Sequence, residues 1–343
     1  MQKKVLAILT SLLLLLSGGN AQDLHFSQFM QTPLLINPAN TGFIPDGDYR
    51  VGVNYRNQWS SLSAFPYKTI SAFGDWQLLQ NSDQTGWLGA GGLILRDVAG
   101  TSLLTSTKVY GSVAYHQMIN NGSLLSAGFN VGWANKRINT NDLTFPSQWN
   151  GQFFDVHQSA QAPLLATTQS NYLDVQVGMN YAYFPNPETY INAGFSAMHV
   201  NRPIESFWAN NTGVDNRIAP RYNGFLNASF KVNDQFILQP NLYFSTQANS
   251  WEAVGGMAAL YNISGDGEYL LSAGAYYRWA ESLIPQVGIG IRQLLFNFSY
   301  DVTASTLKNF NNRRGAFEFS VIKQGVSNPY RGNRNQSLCP TFR

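Results

Sequence analysis

Cysteine is almost missing from this chain: Cys339 is the single one in 343 residues, so no disulfide framework is available to hold the fold. Charge is scarce as well. Asp, Glu, Lys and Arg make up 12% of the residues, about half the usual share for a soluble domain. The formal net charge of +3 lacks the strong basic bias of nucleic-acid-binding domains. Long apolar runs are missing beyond Val5 to Leu16, which excludes an interior spanning helix of roughly 20 apolar residues. What is abundant is aromatic: 22 Phe, 17 Tyr and 8 Trp, a composition opposite to that of disordered chains. With 44% hydrophobic residues and a mean hydropathy of −0.18, apolar side chains must be interleaved with neutral polar ones.

The first residues read as an export signal. Met1 to Lys4 is a short basic region, Val5 to Leu16 an apolar core, and Ser17 to Ala21 a small-residue stretch with cleavage expected after Ala21. Removing Lys3 and Lys4 leaves the remaining basic residues almost balanced by the 19 acidic ones. No cysteine follows the signal to accept a lipid anchor.

Beyond it the sequence alternates with a period of two, the signature of strands. Leu125, Ala127, Phe129, Val131 and Trp133 stand against Ser126, Gly128, Asn130, Gly132 and Ala134. Leu173, Val175, Val177, Met179, Tyr181 and Tyr183 stand against Asp174, Gln176, Gly178, Asn180 and Ala182. Tyr222, Leu226 and Phe230 share one face of a third segment, whose polar face Phe225 interrupts, and Tyr269, Leu271, Tyr277 and Trp279 one face of a fourth. Strands are expected at 49–59, 67–79, 86–97, 103–119, 122–138, 171–185, 189–202, 220–232, 235–247, 250–263, 268–280, 283–291, 294–303 and 315–323.

A secreted β-sandwich would alternate too, but soluble strands usually run to about 5 or 6 residues. Strands of about 9 to 11 residues or more, apolar on one face and aromatic at both ends, fit a transmembrane barrel. The expected girdle is Tyr49, Tyr55, Trp59, Trp87, Trp133, Tyr181, Tyr183, Tyr190, Tyr222, Trp251, Tyr261, Tyr269, Tyr277 and Trp279. The fold class is therefore all-β, an antiparallel outer-membrane β-barrel of about 14 strands.

Loop parity agrees with that count. Asn120-Asn121, Pro185 to Glu188, Asn233-Asp234 and Ser264 to Gly267 make short turns, and the long connections 139–170, 203–219 and 304–314 fall on the opposite side. Short turns belong to the periplasmic side of bacterial barrels. Residues 22–48, with Pro33, Pro38 and Pro45, form an N-terminal plug or docking segment, and 324–343 a tail, both expected on the periplasmic side.

Chemistry-bearing clusters are sparse. His25, His116, His157 and His199 lack metal-ligand spacing, so no metal, cofactor or catalytic residue is expected. His116 and Asp97 are the candidates for a barrel-rim enzyme, with lumen lining the simpler reading. Gly86 to Gly92 precedes no helix and is read as easing strand packing and curvature. Arg50, Arg56, Asp75, Arg96 and Lys108 are expected to point inward.

Several local motifs stand in series: His25-Phe26-Ser27-Gln28-Phe29, Pro33-Leu34, Asn37-Pro38-Ala39 and Thr41-Gly42; Tyr55-Arg56-Asn57-Gln58-Trp59; Asp97 to Gly100; His199 to Pro203 with Ser206-Phe207; Pro220-Arg221-Tyr222; Phe298-Ser299-Tyr300-Asp301; Gly315 to Glu318; and Cys339-Pro340-Thr341-Phe342. In that order they resemble the PorP/SprF family of the type IX secretion system of Bacteroidetes. Leu143 to Trp149 departs from the family, which tends to carry an acidic residue before the glutamine. The resemblance implies a non-enzymatic outer-membrane protein embedded in lipid. Its implied partners are the type IX translocon, the periplasmic ring components, and secreted substrates or a gliding adhesin bearing C-terminal sorting domains. Because they lie outside the strand ladder, Phe26, Ser27, Gln28, Phe29, Pro33, Asn37, Pro38, Ala39 and Gly42 are expected to plug the barrel or dock a partner, the alternative being that they only fill the barrel mouth. A porin-like or FadL-like diffusion channel for small solutes is the competing reading.

Overall fold

The structure, a computed structural model, describes residues 26–327 except 46, 61–65, 82, 84, 101–102, 140–145, 156, 159–166 and 208–215, together with Phe342. The signal, His25, Cys339 and Pro340 lie outside the described residues, as does the 143–145 part of the divergent loop.

Fourteen antiparallel strands follow one another around a closed barrel, and β1 completes the ring by pairing with β14. They are β1 (Tyr49–Gln58), β2 (Tyr67–Leu78), β3 (Gly86–Ala99), β4 (Leu104–Asn120), β5 (Ser123–Arg137), β6 (Gln169–Asn186), β7 (Thr189–Met198), β8 (Arg221–Lys231), β9 (Phe236–Gln247), β10 (Ser250–Asn262), β11 (Tyr269–Arg278), β12 (Ser282–Ile291), β13 (Leu294–Thr303) and β14 (Arg314–Gly325). Closure runs from Tyr49 opposite Gly325 to Gln58 opposite Ala316, so no strand edge is left to meet lipid. Among the described residues no helix is long and apolar enough to cross a membrane.

The alternation read from β5 and β6 sorts the two faces. Phe129, Val131, Trp133, Leu173, Val177 and Met179 are exposed outward, forming part of an apolar belt, while Ser126, Asn130, Asp174, Gln176 and Asn180 are buried inside. Three expectations fail. Trp87 and Tyr190 belong to the interior and not to the girdle, at 2% and 6% exposure. Arg96 lies on the outer face with Ile94, between inward Leu95 and Asp97, near a strand end from which a guanidinium can reach water. The strand expected over 189–202 ends at Met198, because His199 and Arg202 take left-handed backbone (φ 55° and 46°) in a turn closed by Arg202 N–H to the His199 carbonyl.

Short turns gather at one end of the barrel and the connections 138–168, 199–220 and 304–313 at the other. By the usual asymmetry the turn end is periplasmic and the loop end extracellular.

Candidate functional site

The lumen is filled by the chain's own N-terminal segment. Residues 26–48, a strap of three short helical turns (Phe29–Gln31, Pro33–Ile36, Pro38–Asn40), hydrogen-bond to strands on every side of the barrel, which only a luminal path allows. The strap joins β1 at the turn end, yet Phe26 to Phe29 lie toward the loop end, beside Arg56, Arg278 and Asp301. This corrects the expectation that the whole segment lies on the periplasmic side.

Two phenylalanines anchor that outer part. Phe26 packs among Phe73, Leu93, Leu95, Tyr110 and Ile322. Phe29 enters a socket of Phe225, Tyr243, Val254, Tyr276 and Ile284, stacked on Tyr243 with ring centroids 5.4 Å apart. Burying each ring is worth about 1.5–3 kcal/mol. Phe225, the residue that interrupts the polar face of β8, points inward to build this socket.

Between the two rings, Ser27 and Gln28 meet an ion cluster. The Ser27 hydroxyl donates to Asp301 (2.7 Å) and accepts from Arg56 and from Arg278 (2.7 Å each). That uses its one donor and both acceptor sites. The Ser27 and Gln28 backbone N–H groups donate to the two carboxylate oxygens of Glu318 at 2.7 and 2.8 Å. Gln28 is further tied to Ser299, Ser320 and the Glu318 carbonyl. Arg56 in turn pairs with Glu318 and Asp301, and Arg278 with Asp301, Glu281 and, at 3.5 Å, Glu252.

Further along, Asn37-Pro38-Ala39 lies in a slot floored by glycine. A Cβ on Gly178 would stand 1.9 Å from Asn37 Oδ1, one on Gly194 2.7 Å from Asn37 Nδ2, and one on Gly128 2.7 Å from the Pro38 carbonyl. The Asn37 amide donates to the Met179 and Phe195 carbonyls (2.8 and 3.2 Å), and its oxygen accepts from Ala39 N–H, capping the Pro38–Asn40 turn. Pro33 and Pro38 open their turns, where a missing N–H costs nothing.

Near the turn end, Thr41-Gly42 crosses over β3. Gly42 has φ 68°, and a Cβ there would meet Gly89 Cα at 2.4 Å. Within the Gly86 to Gly92 stretch it is Gly89 that makes room for the strap, while Gly86, Gly91 and Gly92 lie close against neighbouring strands. Asp75, held by Arg50 at 2.8 Å, accepts Gly42 N–H, while Trp87 donates its indole N–H to the Gly42 carbonyl (3.0 Å). His116 lies between the Trp87 and Phe43 rings and contacts the Thr41 carbonyl through Nε2 and Ser126 through Nδ1. Since a carbonyl only accepts, Nε2 carries the proton. A cavity of about 30 Å³ beside Thr32, Leu35, Ile36, Lys108 and Arg221 has room for about one water.

The other sequence candidates scatter. Asp97 accepts from Thr69 toward the loop end, far along the β3–β4 ladder from His116, so the two are not brought together. His199 pairs with Asp174 (2.8 Å) and His157 is in an outer loop. Gln58 accepts from Arg56; Trp59 stacks edge-on with Tyr67; Tyr55 and Tyr222 pack on Phe317 and Phe195 on the barrel wall. The Pro203 carbonyl accepts from Ile218, and Arg221 braces Tyr243 and Ser245 behind the Phe29 socket. Tyr300 precedes Asp301 on β13 and is half-buried. Phe342 lies over Gly267 in the β10–β11 turn. Arg278, Glu252 and the three slot glycines were not singled out as contacts from sequence, although inward glycines on consecutive strands are a visible sign of something lying close.

An apolar outer belt around a closed antiparallel barrel defines a transmembrane β-barrel of the outer-membrane class. The described residues bring together no cluster of three or more metal-ligating side chains. The chain belongs to the PorP/SprF family, whose model, described as type IX secretion system membrane protein PorP/SprF, matches residues 18–322. No curated protein matches the sequence. Among solved structures it is similar to a Pseudomonas aeruginosa FadL homologue (9% identity, TM-score 0.51, covering 86% of this chain and 94% of that one). The monoaromatic hydrocarbon channel TodX in a deltaS2S3 mutant form is also similar (10% identity, TM-score 0.51, 84% and 92%). At such identities the likeness is one of fold.

Proposed function

We propose that this protein is a non-enzymatic outer-membrane component of the type IX machinery. It helps to secrete substrates with C-terminal sorting domains, or to retain them at the surface, in contact with the translocon and the periplasmic ring. The export signal is cleaved after Ala21, and the strap of residues 26–48 acts as a plug. The family match over residues 18–322 carries the secretion reading. The filled lumen supports a scaffold over an open solute channel, the second reading, which the fold shared with hydrocarbon channels favours. Deleting the gene and following export of a sorting-domain cargo tests the proposal: cargo should accumulate in the periplasm or escape to the medium and be restored by the wild-type copy. Unchanged export and surface display in the deletion strain would remove the secretion reading. Loss of small-solute uptake in the same strain would favour the channel.

A further inference from the structure

The strap and the wall that holds it divide their charges unevenly. Residues 26–45, Phe-Ser-Gln-Phe-Met-Gln-Thr-Pro-Leu-Leu-Ile-Asn-Pro-Ala-Asn-Thr-Gly-Phe-Ile-Pro, contain no acidic, basic or histidine side chain. Four buried acids of the wall face wall cations, Asp75 with Arg50, Asp301 with Arg56 and Arg278, Glu318 with Arg56 and Glu252 with Arg278, and a fifth, Asp174, faces His199. A buried charge must be paired to be tolerated. These four pairings are made without the strap, whose polar contacts are neutral hydroxyl, amide and backbone groups. The barrel ladder is likewise closed without it. Removing the strap therefore leaves these four acids paired and the strand ladder closed, while it empties two phenylalanine sockets and a glycine slot and frees the wall groups that had bonded the strap, among them the Glu318 carboxylate, the Trp87 indole N–H and His116.

From this we infer that the lumen is a reversible peptide-binding site whose resident ligand is the chain's own strap. The ligand class is an uncharged peptide folded into short helical turns, with phenylalanines three residues apart, a hydroxyl residue between them and an Asn-Pro step about ten residues on. Specificity has three parts. The Phe26 and Phe29 sockets measure the spacing, Glu318 reads two consecutive N–H groups, and the Gly128, Gly178 and Gly194 floor admits Asn-Pro and excludes a raised wall. Negative charge on the ligand is rejected: a carboxylate at Ser27 could not donate to Asp301, and it would join four carboxylates, Glu252, Glu281, Asp301 and Glu318, that already share the two guanidinium groups of Arg56 and Arg278. The inference rests on the plug reading of the strap and deepens it.

The test is Ser27→Asp in the full chain, reconstituted in planar bilayers beside the wild type. Ser27→Asp should raise ion conductance at least tenfold, and a synthetic peptide of residues 26–45 should return it to the wild-type level. A shuffled peptide, or one with both phenylalanines replaced by alanine, should not. A second arm covers failure of that variant to fold. The wild-type barrel is cut at a protease site inserted after Pro45, and a fluorescent strap peptide should then exchange saturably for the severed strap. A Ser27→Asp barrel as closed as wild type, an opened barrel that the native peptide does not block, or a severed strap that never exchanges would each overturn the inference. These measurements use purified protein alone, so their failure is separate from failure of the secretion reading, which is judged by cargo export in cells.

Discussion

Replacing Gly178 by alanine tests the strap's fit at its tightest point. The new Cβ would lie 1.9 Å from Asn37 Oδ1 and 3.1 Å from Pro38 Cδ. Strand β6 cannot retreat, because ladders to β5 and β7 hold it on both sides, so the strap must move. Moving it breaks the two Asn37 amide bonds to the Met179 and Phe195 carbonyls, worth about 0.5–1.5 kcal/mol each, on top of about 1–3 kcal/mol for overpacking. The sum, about 2–6 kcal/mol, acts on the strap and not on the ladder. At about 1.4 kcal/mol per factor of ten, strap opening should rise by about thirtyfold or more. Amide hydrogen exchange in detergent micelles reads this at Ala39 and Asn40, with Gly111→Ala as the control, since a Cβ at Gly111 meets only the Val131 carbonyl at 3.9 Å. Strap exchange as slow in Gly178→Ala as in Gly111→Ala would refute the slot.

Trp87→Phe keeps a ring against His116 but strips the Gly42 carbonyl of its indole donor. It should cost about 1–3 kcal/mol, read as faster exchange near Thr41 with little change at Ser27. On the lipid face, Val177→Arg near the middle of β6 should lower barrel stability by about 2–4 kcal/mol in urea titrations in lipid, and Trp279→Arg, just past the end of β11, by about 0–1. Equal losses at the two positions would contradict the membrane placement.

How far the sequence could be read depended on what covers each wall. Strands β5 and β6 face lipid on one side and polar contacts on the other, so period two is clean and their inward residues are legible. Strand β3 is apolar or glycine on both faces from Gly86 to Leu95, because its inward Trp87, Gly89, Leu93 and Leu95 face the strap. Alternation cannot then say which way Trp87 points, and the same cause hides Tyr190, which packs near Phe43. The strap's motif was visible residue by residue, but its course was not. Ser27 meets Glu318 and Asp301 across nearly the whole length of the chain, and no local pattern encodes such a contact. Glu318 itself stood in a recognisable motif without any sign that its carboxylate clamps two backbone amides.

A photoreactive amino acid at Phe26 or Phe29, irradiated in intact outer membranes, measures the strap's path through the lumen directly. A luminal path gives crosslinks within the same chain, from position 26 to Leu93, Leu95, Tyr110 or Ile322 and from position 29 to Phe225, Tyr243 or Tyr276. Crosslinks from both positions to periplasmic proteins, with none to the barrel wall, would contradict it.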